Sequence, residues 1–74
     1  MIEARFVGDS GDWRVMYIDH EEKVFYYDDL ETINAHFDLE ATNEYIENAE
    51  DLWLQDAPEY IDYLESQGYV REEL

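Results

Sequence analysis

The chain has 74 residues and a formal net charge of -17, with 21 Asp and Glu against four Lys and Arg. That length allows one domain, 1–74, with a small core and little room for a deep catalytic cleft. The absence of cysteine excludes a disulfide framework, a thiolate metal site and a cysteine nucleophile. A surface this acidic repels nucleic acid and anionic membrane and steers basic proteins toward itself. With 46% hydrophobic and 16% aromatic residues, the chain still has the means to fold. It lacks a basic segment leading into an apolar run, and it has no hydrophobic stretch long enough to cross a bilayer. The expectation is a cytoplasmic protein, in the host cytoplasm if a phage encodes it.

In chain order, the first third has the pattern of strands. Ile2, Ala4 and Phe6 alternate with Glu3 and Arg5, and Gly8-Asp9-Ser10-Gly11-Asp12 is a turn cluster. Trp13, Val15 and Tyr17 alternate with Arg14, Met16 and Ile18, and polar Asp19-His20-Glu21-Glu22-Lys23 forms a second turn. Val24-Phe25-Tyr26-Tyr27 is a third short run of strand formers. These runs predict an antiparallel β-meander over 1–27.

From Asp28 the period becomes helical. Leu30, Ile33 and Phe37 define a short helix, with Asp28 and Glu31 as a loose capping box. A second helix, begun by Asp38 or Thr42, carries Ala41, Tyr45, Ile46, Ala49, Leu52 and Trp53 on one face. Asp56-Ala57-Pro58 opens a third, with Tyr60, Ile61 and Leu64 facing inward and Gly68 as its left-handed stop. The predicted fold class is α+β: a three-stranded antiparallel sheet (β-β-β) followed by two or three helices packed on one face, with 28–70 as an acidic helical part.

Charge is distributed unevenly. Arg5, Arg14 and Lys23 come early and Arg71 late, whereas Val24 to Val70 contains 13 acids and no Lys or Arg. An ordinary helical surface mixes both signs and gains about 0.2–0.5 kcal/mol from each opposite pair at i,i+4. On a helix, Glu40, Glu44, Glu47 and Asp51 fall within roughly 60° of one another, a column about 16 Å long facing away from the apolar stripe. Its charge density is of the order of a DNA strand's phosphates. Glu59, Asp62 and Glu65 form a second line, with Asp28, Asp29 and Glu31 next to consider. Tyr63 lies about 40° from Glu59, outside the inward face, as a candidate aromatic contact.

In size, charge and the acid-and-aromatic texture of Ile46-Glu47-Asn48-Ala49-Glu50-Asp51-Leu52-Trp53, the chain resembles the small acidic phage-type inhibitors that imitate DNA, among them anti-CRISPR and anti-restriction proteins. The resemblance rests on no shared motif, so it implies a mode of action and no aligned residues. Carboxylates take the place of phosphates in the Lys and Arg groove of a nuclease, CRISPR-Cas effector or restriction enzyme. The expected partner is a basic nucleic-acid-binding protein, with no direct binding to nucleic acid or membrane, and the inhibitor is a monomer or homodimer. Two other readings fit the same charge: a halophile-adapted small protein, and an acidic antitoxin or immunity-type protein masking a basic toxin.

Enzymatic chemistry finds little footing. His20 beside Glu21 and Glu22 has the residue types of a general base, yet it sits in a solvated turn without a nucleophile signature. His36 near a helix end suits the helix dipole. Asp9-Ser10-Gly11-Asp12 lacks the ligand spacing of a calcium loop, and neither histidine has a zinc-spaced partner. The expectation is no enzyme, no cofactor and no metal site.

Overall fold

The run Val15-Met16-Tyr17-Ile18 contains no charged or strongly polar residue, and that governs the architecture. In the computed structural model, which describes residues 2–8, 13–38 and 52–74, all four of these side chains are buried. A strand buried on both faces belongs in the middle of a sheet covered on both sides.

Strands β1 (Ile2–Gly8), β2 (Trp13–Asp19) and β3 (Val24–Asp29) form an antiparallel meander with β2 in the middle. Helix α1 (Leu30–Phe37) follows directly. After residues 39–51 come the two-residue strand β4 (Leu52–Trp53), a 3-10 turn (Leu54–Asp56), helix α2 (Ala57–Ser66) and the two-residue strand β5 (Val70–Arg71). β4 pairs in parallel with β1, and β5 in parallel with β3, so the order is β4-β1-β2-β3-β5.

This corrects the expected three-stranded antiparallel sheet with helices on one face. The sheet is five-stranded and mixed, and a helix packs against each side. On one side Ala4, Val15 and Tyr17 pack with Ile33 of α1, fringed by Ile2, Phe6, Tyr26 and Phe37. On the other, Val7, Met16, Ile18 and Phe25 pack with Ala57 and Leu64 of α2. The alternation in β2 predicts one apolar face and one outward face, whereas Met16 and Ile18 form the centre of a second core.

Local chemistry explains the connections. Asp19 Oδ1 accepts the amide N–H groups of Glu21 (3.0 Å) and Glu22 (3.1 Å), which folds the β2–β3 turn. Lys23 closes that turn in the left-handed region at φ 56°. Helix α1 is capped by Asp29 rather than by the expected Asp28, the Asp29 carboxylate accepting the Thr32 N–H at 2.7 Å. Asp38 ends α1 at φ 48° instead of starting a second helix.

The helical period predicts Leu52 and Trp53 on the buried stripe of that second helix. They are strand residues, and Trp53 is 66% exposed. The remainder of that predicted helix lies outside the described residues. Gly68 behaves as the sequence predicts. At φ 90° it ends α2, with the Tyr69 N–H donating to Leu64 O (3.0 Å) and the Gly68 N–H to Glu65 O (3.1 Å), the paired bonds of a Schellman stop.

Candidate acidic interface

Helix α2 starts after Asp56, with Pro58 in its first turn where a missing N–H costs nothing and Glu59 favourably placed by the helix dipole. Ala57 and Leu64 are buried, and Tyr60 and Ile61 pack against the same core. This fixes the helix rotation and leaves Glu59, Asp62, Tyr63 and Glu65 exposed. The three acids follow one another at i,i+3, about 4.5 Å apart along the axis. None of them pairs with a cation among the described residues. Tyr63 is 55% exposed, and its ring lies 5.9 Å from that of Tyr60.

The basic residues lie off the outward face of α2. Arg5 sits 4.8 Å from the Tyr60 ring centre and bonds Glu3 Oε2 at 2.8 Å. Arg14 and Arg71 both lie by Tyr27, at 5.8 and 5.6 Å, and Lys23 lies 5.9 Å from Tyr69. These are the four Lys and Arg of the chain, each positioned over a tyrosine ring. Burial, with Glu3 nearby, pushes the Tyr60 hydroxyl pKa up, and Arg5 partly opposes that shift.

Asp28, Asp29 and Glu31 gather where β3 runs into α1. Asp29 serves the fold, because the Thr32 amide and hydroxyl, with Arg14 adding, hold its carboxyl below the usual carboxylate range. Asp28 Oδ1 accepts the Asp29 N–H at 2.8 Å. Glu31 is exposed in the first turn of α1. Parallel pairing of β5 brings Glu72 and Glu73 to the same end of the sheet, where an open cleft of about 230 Å³ lies between them, Tyr26, Asp28 and Arg71. Sequence reasoning missed these two acids because a two-residue parallel strand carries no period.

The proposed column Glu40, Glu44, Glu47 and Asp51 lies outside the described residues. The interface that can be described therefore consists of the outward face of α2 and the acidic end of β3 and β5.

The structure corrects the expectation of a solvated turn residue at His20. Its Nε2 lies 2.9 Å from Glu3 Oε1 and its Nδ1 lies 2.7 Å from the Tyr69 hydroxyl. A carboxylate only accepts, so Nε2–H donates to Glu3, and in the neutral ring Nδ1 accepts the Tyr69 O–H. The imidazole thus ties β1 to the residue that leads into β5. Its partners stand 17 and 49 positions away, so no local pattern reveals them. An open cleft of about 220 Å³ adjoins it, between Lys23, Tyr60, Tyr63, Gln67 and Tyr69.

Among the described residues, no group of three or more His, Asp or Glu is disposed to hold a metal ion. No described helix is long and apolar enough to cross a membrane. No family model, curated protein or solved structure matches the chain.

Proposed function

We propose that the chain is a non-enzymatic inhibitor that imitates nucleic-acid phosphate charge and occupies the DNA- or RNA-binding groove of a nuclease, CRISPR-Cas effector or restriction complex. The observation that carries this reading is the disposition of charge. All four Lys and Arg lie over tyrosine rings, Tyr27 of β3, Tyr60 of α2 and Tyr69 before β5, while Glu59, Asp62 and Glu65 on α2 are exposed without a basic neighbour in their helix. A partner with a row of Lys and Arg meets an unneutralised carboxylate surface, and electrostatic steering brings the two together. Tyr63, exposed among the acids, adds contact area with little side-chain entropy to lose.

The test is capture of partners from a nuclease-treated lysate at about 0.1 M salt, followed by competition with duplex DNA. The expected result is one nucleic-acid-handling protein that DNA displaces and that binds more weakly as salt rises. For that partner, Glu59→Lys with Asp62→Lys should lower affinity on the order of tenfold or more, because like charges then face each other across the interface. The melting temperature should hold or rise. An unchanged affinity would remove α2 from the site. A captured protein indifferent to DNA would replace mimicry with masking of a different basic surface. Unfolding on removal of salt would point to halophilic adaptation instead.

A further inference from the structure

Strand β5 forms one edge of the sheet, and its backbone beyond Arg71 continues alongside β3. The Val70 N–H donates to Lys23 O and the Glu72 N–H to Phe25 O, both at 2.9 Å. In a parallel ladder alternate residues bond inward, so the backbone groups of Arg71 and Glu73 point away from β3, toward the open edge. The segment is exposed throughout, with Val70 at 56% and Leu74 at 43%.

We propose that this edge is a self-association surface, on which a second copy of the chain adds antiparallel through residues 70–74. A two-fold axis makes such an edge face itself. Within residues 70–74 the outward backbone groups are those of Arg71 and Glu73, which gives three registers for this segment: Arg71 against Arg71, Glu73 against Glu73, or Arg71 against Glu73. Like charges directly opposite each other destabilise a strand pair, and opposite charges stabilise it. The third register is therefore selected, with each of its two Arg71/Glu73 pairs exchanging both backbone hydrogen bonds.

The same register sets exposed Val70 opposite Leu74 of the second copy. It also leaves one like-charge contact, Glu72 against Glu72 at the axis. Short, charged edge strands ordinarily resist pairing. Here the two outward-bonding residues, Arg71 and Glu73, have opposite signs, so one antiparallel register sets each against its opposite.

The net charge of -17 on each copy opposes the dimer at long range. Salt screens that repulsion, so this association strengthens as salt rises, whereas binding to a basic partner weakens. Self-association at this edge does not depend on the proposed function.

The experiment is analytical ultracentrifugation of the full chain up to millimolar concentration, at about 0.1 M and about 1 M salt, with amide exchange followed in parallel. The expected result is a concentration-dependent dimer, favoured at the higher salt. The Arg71 and Glu73 amides should gain protection with concentration, while those of Val70 and Glu72 are protected throughout. R71E and E73R should each weaken the dimer at least tenfold, and their equimolar mixture should restore it as a heterodimer.

E73R is the decisive single variant. It reduces the net negative charge, so long-range repulsion alone would make its dimer tighter, whereas the register makes it weaker. E72T, which relieves the contact at the axis, should tighten the dimer several-fold. A wild-type monomer under all these conditions, a dimer tightened by E73R, or a mixture that stays monomeric would each overturn the proposal. If R71E loses its β5 docking along with its Tyr27 contact, seen as lost protection of the Val70 and Glu72 amides, the mixture is set aside and E73R, which keeps Arg71 on Tyr27, decides the matter.

Discussion

The two sides of the sheet are built from different materials. Under α1 the contacts are almost entirely apolar: Tyr17 stacks on Phe37 with ring centres 4.1 Å apart and planes 16° from parallel, and Tyr26 closes in at 4.8 Å. Under α2 a similar apolar centre is fringed by polar groups, with Arg5 between Glu3 and Tyr60 and His20 between Glu3 and Tyr69. The first side excludes water and holds one short helix. The second also holds part of the chain's positive charge against tyrosine rings, beneath a helix whose outer face is acidic. Both sides of the sheet thus hold an apolar core, and the α2 side adds a polar fringe beneath its acidic outer face.

The sharpest way to break this comparison is to remove one anchor from each side. Ile33 is the buried residue of α1, and Leu64 its counterpart on α2, 2% exposed. Ile33→Ala and Leu64→Ala should each cost about 2–5 kcal/mol in urea unfolding, a large share of the stability of so small a domain. If Ile33→Ala cost less than about 1 kcal/mol, α1 would be an ornament on the sheet and not half of its core.

A smaller effect tests the polar fringe. His20→Ala should cost about 0.5–1.5 kcal/mol, as loss of a part-exposed hydrogen-bonded link. Because that link reaches Tyr69, exchange of the Val70 amide should quicken. Unchanged Val70 exchange would show that β5 docks without it.

The smallest effect sharpens the view of the α1 side. Burial, with Asp19 nearby, pushes the Tyr17 hydroxyl pKa up, so the folded chain holds this proton more tightly than the unfolded one. The associated stability is complete below the ordinary tyrosine value of about 10. It is lost as pH rises through the raised value. Tyr17→Phe keeps the ring stack and removes this loss, so alkaline unfolding should move to higher pH. Tyr60, also raised, leaves a residual slope. An unmoved alkaline midpoint would mean that the Tyr17 hydroxyl is hydrated in the fold.

What the residues disclose in advance follows from the range of the forces involved. The three long strands are legible because strand formers and turn clusters act locally, and Gly68 because a left-handed stop favours glycine. Placement of the helices is not, because the alternation assigns Met16 and Ile18 to an outer face, when a continuous apolar run marks a strand covered on both sides. Strands β4 and β5 are illegible: two residues have no period, and their parallel partners in β1 and β3 lie some 45 positions away. At the candidate interface, the outward direction of Glu59, Asp62, Tyr63 and Glu65 follows from the helical period. The His20 network and the arrival of Glu72 and Glu73 beside Asp28 depend on tertiary pairing alone.

The late origin of both edge strands has a consequence for synthesis. The meander and α1 are complete by Phe37, but Val7, Met16, Ile18 and Phe25 have no α2 cover until Leu64 has been made. A chain that formed its meander before α2 docked would present a bare apolar side and two unpaired edges, features that favour aggregation. Acids outnumber bases more and more as Asp28 through Glu65 are added. Mutual repulsion between unfinished chains therefore grows over the stretch in which they most need to stay apart.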